Sequence, residues 1–258
     1  MKNIISFSLY GEHSMYRIGA LENARLAQSL YPGWTCRFYV SQEIPLSLVK
    51  QLKEYNAEVV HKERKKLIDG MFWRMLPIDD DDLDHLIVRD SDSRFTEREA
   101  AAVHAWCISG KDFHVMRDHP AHNHVIMGGL WGVKGGVLHN ISGMIRAWRS
   151  MRMLTGRKSF HQRGFDQVFL EQMVYPFVKH SILIHSDLVR FQGEEVVPFP
   201  LVREMDEFVG QRITEHHAPE PREIEILQKD GGQLRTYRRP YSLLPALLLK
   251  YLSFSPHL

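Results

Sequence analysis

About ninety residues at the start of the chain alternate short apolar runs with stretches of helical periodicity, and this alternation is the strongest constraint on the fold. Ile4 to Leu9 is an apolar run that stops at Tyr10-Gly11. Tyr16 to Tyr31 carries Ile18, Leu21, Leu26 and Leu30 at roughly helical spacing, and Pro32-Gly33 ends it. Thr35 to Val40 alternates as a strand. Pro45 to Tyr55 reads as a helix with proline in its first turn, and Ala57 to Val60 as a third strand. His85 to Arg89 contains Leu86-Ile87-Val88, the strongest strand of the set. Strands and helices in this order predict an α/β domain on a mostly parallel sheet.

The pattern continues beyond that strand. Thr96 with Glu99 three residues later reads as a capping box opening a helix that runs to about Ile108. Phe113 to Arg117 and Ser181 to His185 read as strands, Val137 to Leu154 and Phe165 to Val174 as helices. From Ala218 to Leu234, Pro219, Pro221, Gly231 and Gly232 punctuate a charged stretch that reads as a linker or surface excursion. Behind it, Arg235, Arg238 and Arg239 precede a leucine-rich tail. The tail is expected to form a terminal helix docked on the domain or on another protein, with a helix lying on a membrane surface as the alternative. The expected division is an α/β domain over 1–210 and a C-terminal extension over 211–258.

Composition narrows the function. Of 258 residues, 33 are Lys or Arg and 31 are Asp or Glu, a formal charge of +2 that lacks the basic excess of a dedicated nucleic-acid binder. Cys36 and Cys107 are too few for a disulfide scaffold or a four-cysteine zinc site, and a reducing cytoplasm is the simplest expectation. The apolar run at 4–9 lacks the cleavage site of a signal peptide, and the run at 243–254 is interrupted and shorter than the ~20 residues that span a bilayer. The expected location is therefore cytoplasmic, or peripheral at the inner face of a membrane if the tail engages lipid.

The chemistry concentrates in Arg89-Asp90-Ser91-Asp92-Ser93-Arg94. A buried strand here delivers two carboxylates two residues apart at its carboxyl end, where open α/β sheets bind ligands. Residues i and i+2 of an extended chain point the same way, so Asp90 and Asp92 can converge on one hard cation whose other ligands are phosphate oxygens and water. Without an apolar strand before it, the run Asp79 to Asp82 reads instead as a solvated loop. Gly128-Gly129-Leu130-Trp131-Gly132 is neither a Walker loop nor a dinucleotide fingerprint. It reads as backbone packed close to a ligand with Trp131 as its platform, or as an aromatic-anchored turn.

Taken together, Ser8-Leu9-Tyr10-Gly11, a helix with Asn23, Phe72-Trp73-Arg74, Arg89 to Arg94, Met127 to Gly132, Gly164-Phe165-Asp166-Gln167 and His185-Ser186-Asp187 resemble a nucleotide-sugar glycosyltransferase of the GT-A fold. The resemblance covers about residues 1–210 and implies a Rossmann-like mixed, mostly parallel sheet flanked by helices. It implies that Ser8, Tyr10 and Gly11 hold base and ribose. Asp92 would bind Mn or Mg, Asp90 would share metal and ribose work, and His185 would complete the metal site. Arg74 and Arg89 would clamp the diphosphate, Gly129 and Trp131 would line the donor, Asp118 would bond sugar hydroxyls, and Asp166 would face the reacting sugar or deprotonate the acceptor. The implied partners are a nucleotide-diphosphate sugar and a glycan or lipid-linked acceptor, as in surface polysaccharide synthesis, with no nucleic acid. The alternatives are a sugar-nucleotide nucleotidyltransferase, which lacks its glycine-rich basic loop here, and a noncatalytic subunit that binds nucleotide or glycan. A separate zinc site from His119, His122 and His124 is a further reading of the middle segment.

Overall fold

A computed structural model describes residues 1–66, 68–154 and 164–238, without the side chains of 152–154. The leucine-rich tail therefore lies outside the described residues. In chain order the elements are β1 (Lys2–Leu9), α1 (Ser14–Leu30), β2 (Trp34–Val40), α2 (Leu46–Glu54), β3 (Glu58–His61), α3 (Asp69–Trp73), β4 (Leu83–Arg89), α4 (Glu97–Ile108), β5 (Phe113–Arg117), β6 (Leu130–Lys134), α5 (Ile141–Leu154), α6 (Phe165–Phe169), α7 (Tyr175–Val178), β7 (Ile182–Ser186), β8 (Val189–Phe191), α8 (Pro221–Asp230) and β9 (Arg235–Tyr237). A π-helical turn over Leu170–Val174 joins α6 to α7.

Seven strands form one mixed sheet in the order β3-β2-β1-β4-β6-β5-β7. All neighbours run parallel except β6, which is antiparallel to both β4 and β5. This is the mixed, mostly parallel α/β sheet that the sequence led us to expect. Both faces are covered, so the central strands bury apolar residues on both sides, at consecutive positions such as Ile4-Ile5 and Leu86-Ile87-Val88, rather than only at alternate ones. Ile4, Leu86 and Val88 face a core packed against Phe72, Trp148 and Phe169. Ile5, Phe7 and Ile87 face a second core with Ala20, Ala24, Leu52 and Trp106. The alanines of α1 let it lie close to the sheet. At Gly19 a Cβ would collide with the Ser91 carbonyl, so the helix backbone rests directly on the loop that follows β4.

Three local expectations change. Thr96 caps α4, its hydroxyl accepting the Glu99 N–H at 3.2 Å, but the Glu99 carboxylate does not return to complete a box. It turns into the core, where it meets Arg89 at 2.9 Å and accepts from the Tyr31 hydroxyl. The Asp79 to Asp82 run is not an idle loop. Asp79 accepts the Ile141 and Ser142 N–H groups at the start of α5, where free backbone donors attract a carboxylate, and Asp80 pairs with Arg37. Residues 218–234 are not a plain linker, because Pro221 opens α8 and Leu227 enters the core. The described part of the extension is stitched to the rest: Ile213 N–H donates to the Asp92 carbonyl at 2.8 Å, and β9 pairs with β8.

Candidate active site

The exits of β1 and β4 lie side by side, since Phe7 is level with Arg89 in the parallel pairing. The antiparallel β6 begins beside the end of β4, with Leu130 opposite Arg89, so the Gly128-Gly129 turn arrives at the same edge. Arg74, just after α3, fills the space between. Its backbone N–H donates to the Ser8 hydroxyl at 3.0 Å, and its guanidinium donates to the Arg89 carbonyl, to Asp90 and, at 2.7 Å, to Asp166 at the start of α6. Arg74 and Asp166 are buried, whereas half of the Asp90 side chain is exposed. The two glycines shape the floor. A Cβ on Gly128 would stand 2.6 Å from an Asp166 oxygen, and one on Gly129 would strike the Asp90 carboxylate. Only residues without side chains let both acids come this close to the backbone.

Asp92 points into the same edge with little exposure. Burial and the neighbouring Asp90 charge push its carboxyl up to about 6, while the Arg212 guanidinium, 3.7 Å away, pulls it down. Arg212 also reaches Glu220 at 4.0 Å and Glu223 at 3.9 Å, both long contacts between partly exposed groups. Burial raises the Asp166 carboxyl as well, against the opposing pull of Arg74. His124 is near enough to Asp166 for that charge to act on it. Three carboxylates thus face one closely bound guanidinium and a second, looser one. Excess negative charge of this kind fits a divalent ion with oxygen ligands. Among the described residues no three His, Cys, Asp or Glu side chains converge as a metal cage, so an ion here would rest on Asp90 and Asp92 and draw its remaining ligands from phosphate and water, as Mg commonly does.

Tyr10 packs on the Gly70 backbone, with the Arg64 guanidinium 5.5 Å from its ring centre, and burial pushes its phenol up to about 12. Gly11 has φ +81°, a conformation glycine adopts freely, and a Cβ there would meet open space.

Four expected site residues serve the scaffold instead. Arg89 is buried against Glu99 and donates to the Gly129 carbonyl at 2.8 Å and the Ser93 hydroxyl at 3.0 Å. It ties the two loops of the site together and is not free to clamp a diphosphate. Trp131 is fully buried, stacked on Phe113, with its indole N–H on the Gly128 carbonyl, so it anchors the turn rather than offering a sugar platform. Asp118 is fully buried. Arg98 donates to both of its oxygens at 2.9 Å, Arg203 donates at 2.6 Å and the Val209 N–H at 2.9 Å, which leaves no position for a sugar hydroxyl. His185 is buried with its Nδ1 2.8 Å from Nε2 of His114, which stacks on Trp106, and it does not join Asp90 and Asp92. The middle histidines are engaged too: His119 bonds the Glu223 carbonyl and His122 accepts the Asp118 N–H, so they do not build a zinc site.

Sequence reasoning missed Arg212 and the close approach of Gly128 to Asp166. No local pattern marks Arg212, which reaches the site only because the chain returns from far along its length.

No family profile matches the chain, and no curated protein matches it in sequence. Among solved structures, it is similar to a glycosyltransferase involved in the glycosylation of the major capsid of PBCV-1, at 13% identity and TM-score 0.41 over 73% of this chain and 84% of that one. A mannosyltransferase from Pyrobaculum calidifontis, solved with GDP-Man and Mn2+, is similar at 11% identity and TM-score 0.45 over 72% of this chain and 55% of that one. A protein described as a nucleotide-diphospho-sugar transferase from Desulfovibrio desulfuricans is similar at 14% identity and TM-score 0.35 over 71% of this chain and all of the other.

Proposed function

We propose that this chain is a GT-A-type glycosyltransferase that moves a sugar from a nucleotide-diphosphate donor to a hydroxyl acceptor. The observation that carries the reading is the gathering of Arg74, Asp90, Asp92 and Asp166 over a floor of Gly128 and Gly129 at the strand exits. Asp90 and Asp92 would hold Mn or Mg, which when bound neutralises charge developing on the diphosphate as its bond to the sugar breaks. Arg74 orients Asp90 and Asp166 and keeps a fixed positive charge beside them. Asp166, whose carboxyl burial raises, would take the proton of an acceptor hydroxyl if the transfer inverts the anomeric centre. Ser8, Tyr10 and Gly11 stand at the exit of β1, beside the acids, where base and ribose would lie. The acceptor in this reading is a glycan or lipid-linked hydroxyl, as in surface polysaccharide synthesis. Among the described residues no helix is long and apolar enough to cross a membrane.

Thermal unfolding with a panel of nucleotide sugars, with and without Mn, tests the reading. A ligand that binds only the folded state stabilises by ~2.7 kcal/mol at a hundred times its dissociation constant. One nucleotide class should raise the melting temperature in a Mn-dependent way, and Asp92→Asn should remove that dependence. No stabilisation by any donor with Mn present, or an unchanged response in the variant, would overturn it.

A further inference from the structure

The edge of the sheet opposite the carboxylates holds a second feature. At the N-terminal end of β2, where α1 and α2 end, lies a cavity of about 320 Å3. Tyr31, Trp34 and Tyr55 supply aromatic walls, Gln28 and Asn56 amide groups, and Thr35 a hydroxyl. Carboxylates, ammonium and guanidinium groups are all missing from its lining; the one titratable group besides the tyrosines is Cys36, whose thiol burial pushes up to about 12. The Tyr31 hydroxyl is taken by Glu99, so that residue contributes its ring. Among the described residues, the Trp34 indole N–H, the Tyr55 and Thr35 hydroxyls and the Gln28 and Asn56 amides have no hydrogen-bond partner within the protein. Five hydrogen-bonding side chains that the fold does not use thus surround a concave, ring-lined space.

Charge and shape select the ligand class. A nucleotide or other phosphate would find no cation here, and a plain alkyl chain would leave the amides and hydroxyls unpaired, which carries a desolvation cost. A pyranose ring satisfies both demands: its C–H faces lie on aromatic rings, and its hydroxyls bond amides and the indole N–H. We propose that this cavity binds a neutral pyranose unit of a glycan chain. The residues of β2 from Arg37 to Val40, at ~3.3 Å each, lie between it and the carboxyl edge, so it holds a distant unit and not the sugar at the carboxylates. The inference stands on this cavity alone and does not depend on the function proposed for Asp90 and Asp92.

The molecule carries its own reporter. Of its five tryptophans, Trp73, Trp106, Trp131 and Trp148 are buried, and Trp34 alone is partly exposed. Acrylamide quenching of tryptophan fluorescence therefore reads Trp34, and Trp34→Phe checks that assignment. The full chain is titrated with maltoheptaose, mannohexaose and a galacto-oligosaccharide, with UDP as the charged comparator. At least one neutral oligosaccharide should lower quenching by about twofold as the indole is covered, and UDP should not. The Gln28→Ala/Asn56→Gly double variant should weaken that protection about tenfold. Both side chains are exposed, and glycine keeps the φ of 59° that Asn56 adopts, so folding is preserved. Protection by none of the oligosaccharides, equal protection by UDP, or full protection in the double variant would each overturn the proposal.

Discussion

β4 and β5 both run out into an Arg-Asp dipeptide, Arg89-Asp90 and Arg117-Asp118, at the same edge of the sheet. In both, the arginine is buried and paired with a buried glutamate, Glu99 for Arg89 and Glu194 for Arg117. The aspartates then diverge. Asp118 is enclosed by Arg98 and Arg203, with Asp187 also on Arg98, so two acids meet two guanidinium groups and every acceptor position is filled. Asp90 shares one guanidinium, that of Arg74, with Asp166 and has Asp92 beside it. The same dipeptide makes a strut where charge is balanced and sealed, and the proposed reaction site where carboxylates outnumber their partners and one stays open.

Removing the strut should have the largest effect. Asp118→Ala leaves two guanidinium groups without their shared acceptor and should cost about 3–5 kcal/mol of stability in urea unfolding, because an unpaired buried charge is expensive. Acid should separate the two regions next. Burial holds His122 down to about 3 and His185 down to about 4, and His114 well below the ordinary range. Their unfolded forms take up protons as pH falls below 6.5 while the folded forms cannot, so stability should drop by about 2 kcal/mol for each of His122 and His185 between pH 7 and 5. Asp92 acts in the opposite sense. Its raised carboxyl penalises the folded state above the ordinary carboxylate range, and protonation through about 6 relieves that penalty by about 1 kcal/mol, so the net result is still acid lability.

Asp92→Asn should then show the converse of the strut variant: transfer in the presence of Mn falls about a hundredfold, equivalent to ~2.7 kcal/mol, with no loss of stability at neutral pH. Gly129→Ala forces a methyl against Asp90 and should cost about 1–3 kcal/mol, seen as a weaker Mn-dependent response to donor in thermal unfolding. Arg212→Gln should have the smallest effect. It removes a competing positive charge from Asp92 and should tighten Mn binding about fivefold in calorimetry, on the order of 1 kcal/mol for unit charges ~4 Å apart in water.

The contrast also marks where sequence reasoning stopped. Apolar strands, Pro-Gly ends and the Thr96 cap are local signals, and the sheet followed from them. Asp90, Asp92, Arg74 and Asp166 were legible as candidates, and the structure brings them together. The roles of Arg89, Asp118, Trp131 and His185 were not, because partners beyond the local pattern decide them: the Gly129 carbonyl is 40 residues from Arg89, Arg203 is 85 from Asp118, His114 is 71 from His185, and Phe113 on the neighbouring strand stacks on Trp131. Residues 218–234 were read from their prolines and glycines, while the single buried Leu227 that fixes α8 left too short a pattern to weigh against them.

The inverted strand has a consequence for how such a molecule can change. β5 leaves the sheet at the carboxyl edge and β6, running the other way, enters from it, so the connection 118–129 begins and ends at that edge. Its first residues are locked by Arg98 and His122 and its last by the glycine floor, but Asn123 between them is exposed. Length added at Asn123 would extend from the carboxyl edge without disturbing any strand pairing. The connection thus offers a place where a lineage could lengthen the chain beside the proposed site while the framework stays as it is.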